Sequence, residues 1–149
     1  MFILVKLLII ICLLIMVYQD IKERAIWWFL FPALLISAGF LHFSNSPEGM
    51  LLLVSMFNIL ILTIILSISF LYVQYKMKVS FFKKAFGTGD LLFFLILTVA
   101  FPTLAFIVIL VFSLIFSLAL HLLISKQEQT VPLAGYSALF LIFVYSAHW

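Results

Sequence analysis

Long apolar runs separated by short polar clusters dominate the chain. Residues 1–18 are apolar apart from Lys6 and Tyr18, and lead into Gln19, Asp20, Lys22, Glu23 and Arg24. This run has the look of a secretory signal, but it lacks a small-x-small cleavage site and ends in charges, so a retained helix is predicted. A second run covers 25–43, with Trp27 and Trp28 near its start as expected interfacial anchors. "SNSPEG" at 44–49 reads as a turn, and a third run covers 50–75.

Residues 91–125 are apolar apart from His121 and a few hydroxyls, and contain Pro102-Thr103. A single helix of that length would extend about 50 Å, too long for a hydrocarbon core of about 30 Å. Two helices with a tight turn near Pro102 fit better. The fourth helix must then begin upstream of Leu91, around 82–86. "SKQEQT" at 125–130 is the next polar loop, and 131–149 supplies a sixth span.

Composition agrees with a membrane protein. Of 149 residues, 68% are hydrophobic and 9% charged, against about half and about a quarter in a soluble domain. Apolar runs approaching helix length, rather than alternating segments of about ten residues, predict an all-α polytopic bundle and not an outer-membrane barrel. A single integral-membrane domain over 1–149 is expected. Cys12, the single cysteine, lies in an apolar run, which excludes an internal disulfide and a paired Cys-x-x-Cys zinc site. His42, His121 and His148 are scattered, with packing or interfacial roles expected; neither a metal nor a cofactor is predicted. The pI of about 9.1 comes from short basic clusters between spans, which argues against a nucleic-acid partner and for the lipid bilayer.

With six spans, the basic residues report sidedness. Lys22 and Arg24 follow the first span, Lys76, Lys78, Lys83 and Lys84 the third, and Lys126 the fifth. Seven of the eight basic residues thus fall on one side, the cytoplasmic one, with both termini outside. Lys6 dissents and can snorkel from near a helix end. This topology puts the chain's two aspartates, Asp20 and Asp90, at the same cytoplasmic edge without having used their identity.

Ionisable groups next to hydrocarbon usually face a bundle interior or water. If the first and fourth helices touch, the two carboxylates share a site and hold one proton between them, because like charges at close range do not both ionise easily. That suits peptide hydrolysis: the ionised aspartate takes a proton from water, and the protonated one polarises the scissile carbonyl. Either aspartate can fill either role, since such a pair titrates as a unit. Gly87 and Gly89, in "FGTGD" (86–90), are expected to allow unusual dihedrals and close approach of a substrate strand. Taken singly, Asp20 could be a helix-end charge beside Lys22 and Arg24. Asp90 could be an N-cap, with Gly89 a plain turn residue. Glu23, Glu48 and Glu128 read as solvated loop charges. The lysines between 76 and 84 follow the sidedness rule, with anionic lipid or a substrate segment as a further contact.

These segments together resemble the type IV prepilin peptidase family, membrane aspartic proteases with a Gly-x-Gly-Asp motif. "DIKERAIWWFLFPALLI" (20–36) is similar to that family's first aspartate segment, "FGTGDLLFF" (86–94) to its second, and "TVPLAGYSALF" (130–140) to the proline-containing opening of its last span. The resemblance implies that Asp20 and Asp90 are the catalytic pair, with Gly87, Gly89 and Pro132 shaping the site. It implies cleavage of leader peptides from pilin-like precursors at the cytoplasmic face. Longer members also carry an N-methyltransferase domain, often with paired cysteines. This chain has room for neither, and so resembles the short peptidase-only members of tight-adherence systems and archaeal preflagellin peptidases. It departs from the pattern at Trp27-Trp28, where Pro-Asn is frequent. Leu92 stands where a lysine is common, and Gly135 where a second proline is usual.

Three other readings stay open. A small transporter or channel subunit could use Asp20 and Asp90 for cations or protons, although no internal repeat supports it and both lie at one edge. A presenilin-like protease shares Gly-x-Gly-Asp, but the chain lacks its Tyr-Asp pair and reads Pro132-Leu133-Ala134 instead of Pro-Ala-Leu. A non-catalytic homologue could serve in assembly.

Overall fold

The structure is a computed structural model that describes residues 2–23, 25–45, 50–77, 87–124 and 132–147. Among the described residues six α-helices follow one another: α1 (Phe2–Lys22), α2 (Leu30–Asn45), α3 (Met50–Tyr72), α4 (Thr88–Ala100), α5 (Thr103–Ile124) and α6 (Leu133–Ala147). A π-helical turn (Val73–Met77) continues α3. No strand occurs among the described residues, so the all-α expectation holds. Phe2–Lys22, Met50–Tyr75 and Thr103–Leu123 are long and apolar enough to cross a membrane; Leu30–Ser44, Thr88–Ala100 and Leu133–Ala147 are apolar but shorter. Expectations placed on Arg24, Glu48, Lys78, Lys83, Lys84, Lys126, Glu128 and His148 lie outside the described residues.

Helical periodicity decides which face goes inward. Along α1, Ile9, Cys12, Leu13, Met16 and Gln19 are buried, a three- and four-residue spacing that makes one stripe. Val5 and Val17 are half-buried beside it, and most of its other apolar side chains point outward, as a bilayer permits. α6 lies between α1 and α5, and α4 between α2 and α3, with α1 also packed on α2. Phe93 and Leu97 of α4, Phe106 of α5 and Ala138 of α6 complete the core.

Two helix starts differ from expectation. α2 begins at Leu30 instead of residue 25, because 25–29 fold into a turn in which the Leu30 N–H donates to the Trp27 carbonyl (3.1 Å). α4 begins at Thr88, where Gly87, extended (φ −75°, ψ 147°), serves as its N-cap; residues 82–86, where its start was expected, lie outside the described residues. With 13 residues, α4 is about 20 Å long, short of a hydrocarbon core of about 30 Å. The turn expected near Pro102 is present, with α5 starting at Thr103.

Polar side chains brace α4 at its C-terminal end, where the last carbonyls of a helix lack partners. Asn58, fully buried on α3, donates through Nδ2 to the carbonyls of Thr98 (2.8 Å) and Phe101 (2.9 Å). His42 of α2 lies 2.7 Å from the Val99 carbonyl through Nδ1, so that nitrogen carries the proton. His42 thus has the packing role expected of it. Ser117 and Ser137 hydroxyls meet at 3.1 Å between α5 and α6. Replacing Asn58 with Leu leaves the α4 carbonyls unpaired in an apolar setting. It is expected to lower stability by about 1–2 kcal/mol, read as a lower melting temperature in detergent; an unchanged melt would remove the brace from this account.

Candidate active site

α6 starts inside the bundle. Ala134, Gly135, Tyr136, Ser137 and Ala138 are all buried, so its first backbone N–H groups are shut away from water and need partners from elsewhere in the chain. Pro132 is buried at the N-cap, and its carbonyl accepts the Tyr136 N–H at 3.1 Å. Proline suits this point, where a helix is entered and no N–H is called for.

Two carboxylates supply the missing acceptors. The Ala134 N–H donates to Asp90 Oδ1 at 2.7 Å, and the Gly135 N–H donates to Asp20 Oδ2 at 2.6 Å. Side chains 70 positions apart in the chain are therefore anchored to consecutive residues, whose Cα atoms are about 3.8 Å apart. They lie close enough for the charge of Asp20 to act on Asp90. A helix N-terminus, with its exposed donors and positive dipole end, is a natural seat for negative groups.

Each carboxylate is delivered by its own helix. Asp90 sits in the first turn of α4, three residues after the N-cap, and its Oδ2 also accepts the Gly87 N–H at 3.2 Å. It bridges the starts of α4 and α6 and is not the N-cap residue itself. Asp20 lies in the last turn of α1. Lys22, offered by the sequence as its neighbour, turns away, with Nζ 2.6 Å from the Tyr18 hydroxyl and over the Tyr18 ring. α1 and α4 share little direct packing; α2 and α6 each touch both, and it is α6 that supplies the amides on which the two carboxylates meet.

The glycines serve this geometry in ways the sequence did not indicate. Neither Gly87 nor Gly89 has a positive φ, so unusual dihedrals are not the reason for them. A Cβ on Gly87 would lie 3.0 Å from Asp90 Oδ2; on Gly89 it would meet Ile26 and Phe31 only at 3.7 and 3.8 Å. Gly87 thus makes room for the chain's own carboxylate, while Gly89 has ordinary space around it.

Gln19, to which the sequence pattern assigns no role, is part of the support. It is 3% exposed and its Oε1 accepts the Trp27 N–H at 3.0 Å. This bond folds residues 25–29 back over the end of α1, with Ile26 against Gly89 and the Trp27, Trp28 and Phe29 rings outward. Its signal was its position on the α1 stripe, an uncharged amide where the spacing calls for an inward residue. Among the described residues no group of three or more His, Cys, Asp or Glu side chains could hold a metal ion.

Comparison with protein-family models, with curated proteins and with solved structures finds no match to this chain.

The contact distances separate the two glycines experimentally. Gly89→Ala should change stability by no more than about 0.5 kcal/mol, as for a substitution that touches nothing critical. Gly87→Ala forces Asp90 Oδ2 to give way and should cost about 1 kcal/mol, in the range of a damaged helix cap. Parallel thermal melts of the two variants check this; a reversed order would overturn it.

Proposed function

We propose that this chain is a membrane-embedded aspartic endopeptidase of the prepilin leader peptidase type, with Asp20 and Asp90 as its reacting pair. The observation that carries the reading is the convergence of the two aspartates on consecutive backbone amides at the start of α6. A half-buried carboxylate pair at close range holds one proton more readily than none. One member then takes a proton from an attacking water as the other donates to the carbonyl of the scissile bond. The substrate class, pilin-like precursors with a short leader before an apolar helix, comes from the sequence resemblance. So does the placement in the cytoplasmic membrane. The six-span topology with outward termini comes from the distribution of basic residues.

A purely structural role, with the carboxylates only satisfying α6, leads to a different outcome under mutation. Asparagine keeps an oxygen that can accept an amide hydrogen but cannot exchange a proton as a carboxyl group does. Asp20→Asn should therefore keep its bond to Gly135, and Asp90→Asn should give up one of its two amide bonds, the longer one to Gly87, at a cost of about 1 kcal/mol. Both variants should still accumulate in the membrane while abolishing shortening of a co-expressed pilin-type precursor. The loss should reach at least about 10²-fold, the scale of a missing general acid or base. Precursor shortening by either variant at the wild-type rate would sink the protease assignment.

A further inference from the structure

We propose that the first turn of α6 is the element that assembles the aspartate pair, and that Gly135 is its positioning residue. The catalytic part of this rests on the protease reading above; the contact between Gly135 and Asp20 stands on geometry alone. α1 and α4 share little packing and are bridged by α2 and by α6; α2 sets the helices side by side, and the first turn of α6 bonds the two carboxylates themselves and so fixes Asp20 against Asp90.

Residue 135 must meet two demands at once. Its N–H holds Asp20 Oδ2 at 2.6 Å, so it must have a backbone donor, which excludes proline. A Cβ there would fall 2.9 Å from Asp20 Cβ, 2.9 Å from Oδ2 and 3.3 Å from Cγ, so it must also lack a side chain. Asp20 Cβ is fixed directly to the α1 backbone, and no rotation about χ1 moves it out of the way. An alanine at 135 therefore drives α6 off α1 or bends the helix end. Either displacement carries the adjoining Ala134 amide with it, and Ala134 is what holds Asp90. Only glycine combines a free N–H with the missing Cβ, and the close approach it permits places both carboxylates together.

The test uses the full-length protein purified in detergent, with a pilin-type precursor bearing a short basic leader as the probe. In a double-mutant cycle, Gly135→Ala should lower the melting temperature in the wild-type background. It should do so far less in Asp20→Gly, which removes both the Cβ and the carboxylate that the new methyl would strike. If Gly135→Ala fails to accumulate, recovery of the protein in the Asp20→Gly, Gly135→Ala double variant supports the contact, and absence of recovery overturns it. An equal drop in both backgrounds overturns it too. For catalysis, kcat of Gly135→Ala should fall about 10²-fold, the cost of misplacing a reacting group by roughly an ångström, with KM within about twofold and an altered pH profile of kcat. A lowered melt with kcat per folded molecule unchanged would reduce Gly135 to a packing residue. If processing survives Asp20→Asn and Asp90→Asn, the protease assignment fails, while the stability cycle between positions 20 and 135 still tests the positioning contact by itself.

Discussion

An α-helix that begins inside an apolar bundle has backbone N–H groups that neither water nor its own carbonyls can satisfy, and the arrangement around α6 follows from that constraint. Its second and third residues, Ala134 and Gly135, find acceptors in the carboxylates of Asp90 and Asp20. The helix supplies donors and a positive dipole end to two half-buried acids that would otherwise be costly to remove from water. The acids in turn allow the helix to start where it does. Satisfying the helix end and bringing the two acids together are thus two consequences of the same contacts.

That contact needs α4 to be held in register, because Asp90 lies in its first turn and α4 is only 13 residues long. At the far end Asn58 and His42 bind three consecutive or near-consecutive carbonyls, those of Thr98, Val99 and Phe101. At the near end Asp90 ties α4 to α6. The helix behaves as a strut fastened at both ends by polar bonds in an otherwise apolar setting, where such bonds have little competition from water. Gln19 plays the corresponding part for the turn after α1, one residue from Asp20.

Much of the architecture could be read from hydropathy alone: the all-α class, the six helices in order and the turn at Pro102. Sidedness of the lysines also put Asp20 and Asp90 at one level, but level is not contact, and hydropathy carries no information about unsatisfied amides. The role of α6 was therefore hidden, as were the bonds of Asn58 and Gln19, which depend on where distant carbonyls and amides fall. Both helix starts that were misplaced failed for a similar reason. Residues 25–29 and Gly87 are compatible with a helix by composition, and it is side-chain acceptors, Gln19 Oε1 and Asp90 Oδ2, that hold their backbones outside one.

The departures from the prepilin peptidase pattern sort by the direction in which they face. Leu92 follows Asp90 by two residues, about 200° around the helix, and is 42% exposed; a lysine there would point away from the carboxylate pair. The Trp27 and Trp28 side chains are exposed as well, 55% and 79%, and the turn is held through the backbone N–H of Trp27. Neither departure reaches the space between Asp20 and Asp90. Gly135 is the one that faces inward, and a proline in its place would lack both the N–H and the clearance that Asp20 uses here. Of the three departures, the one at 135 is thus the one on which the placement of Asp20 depends.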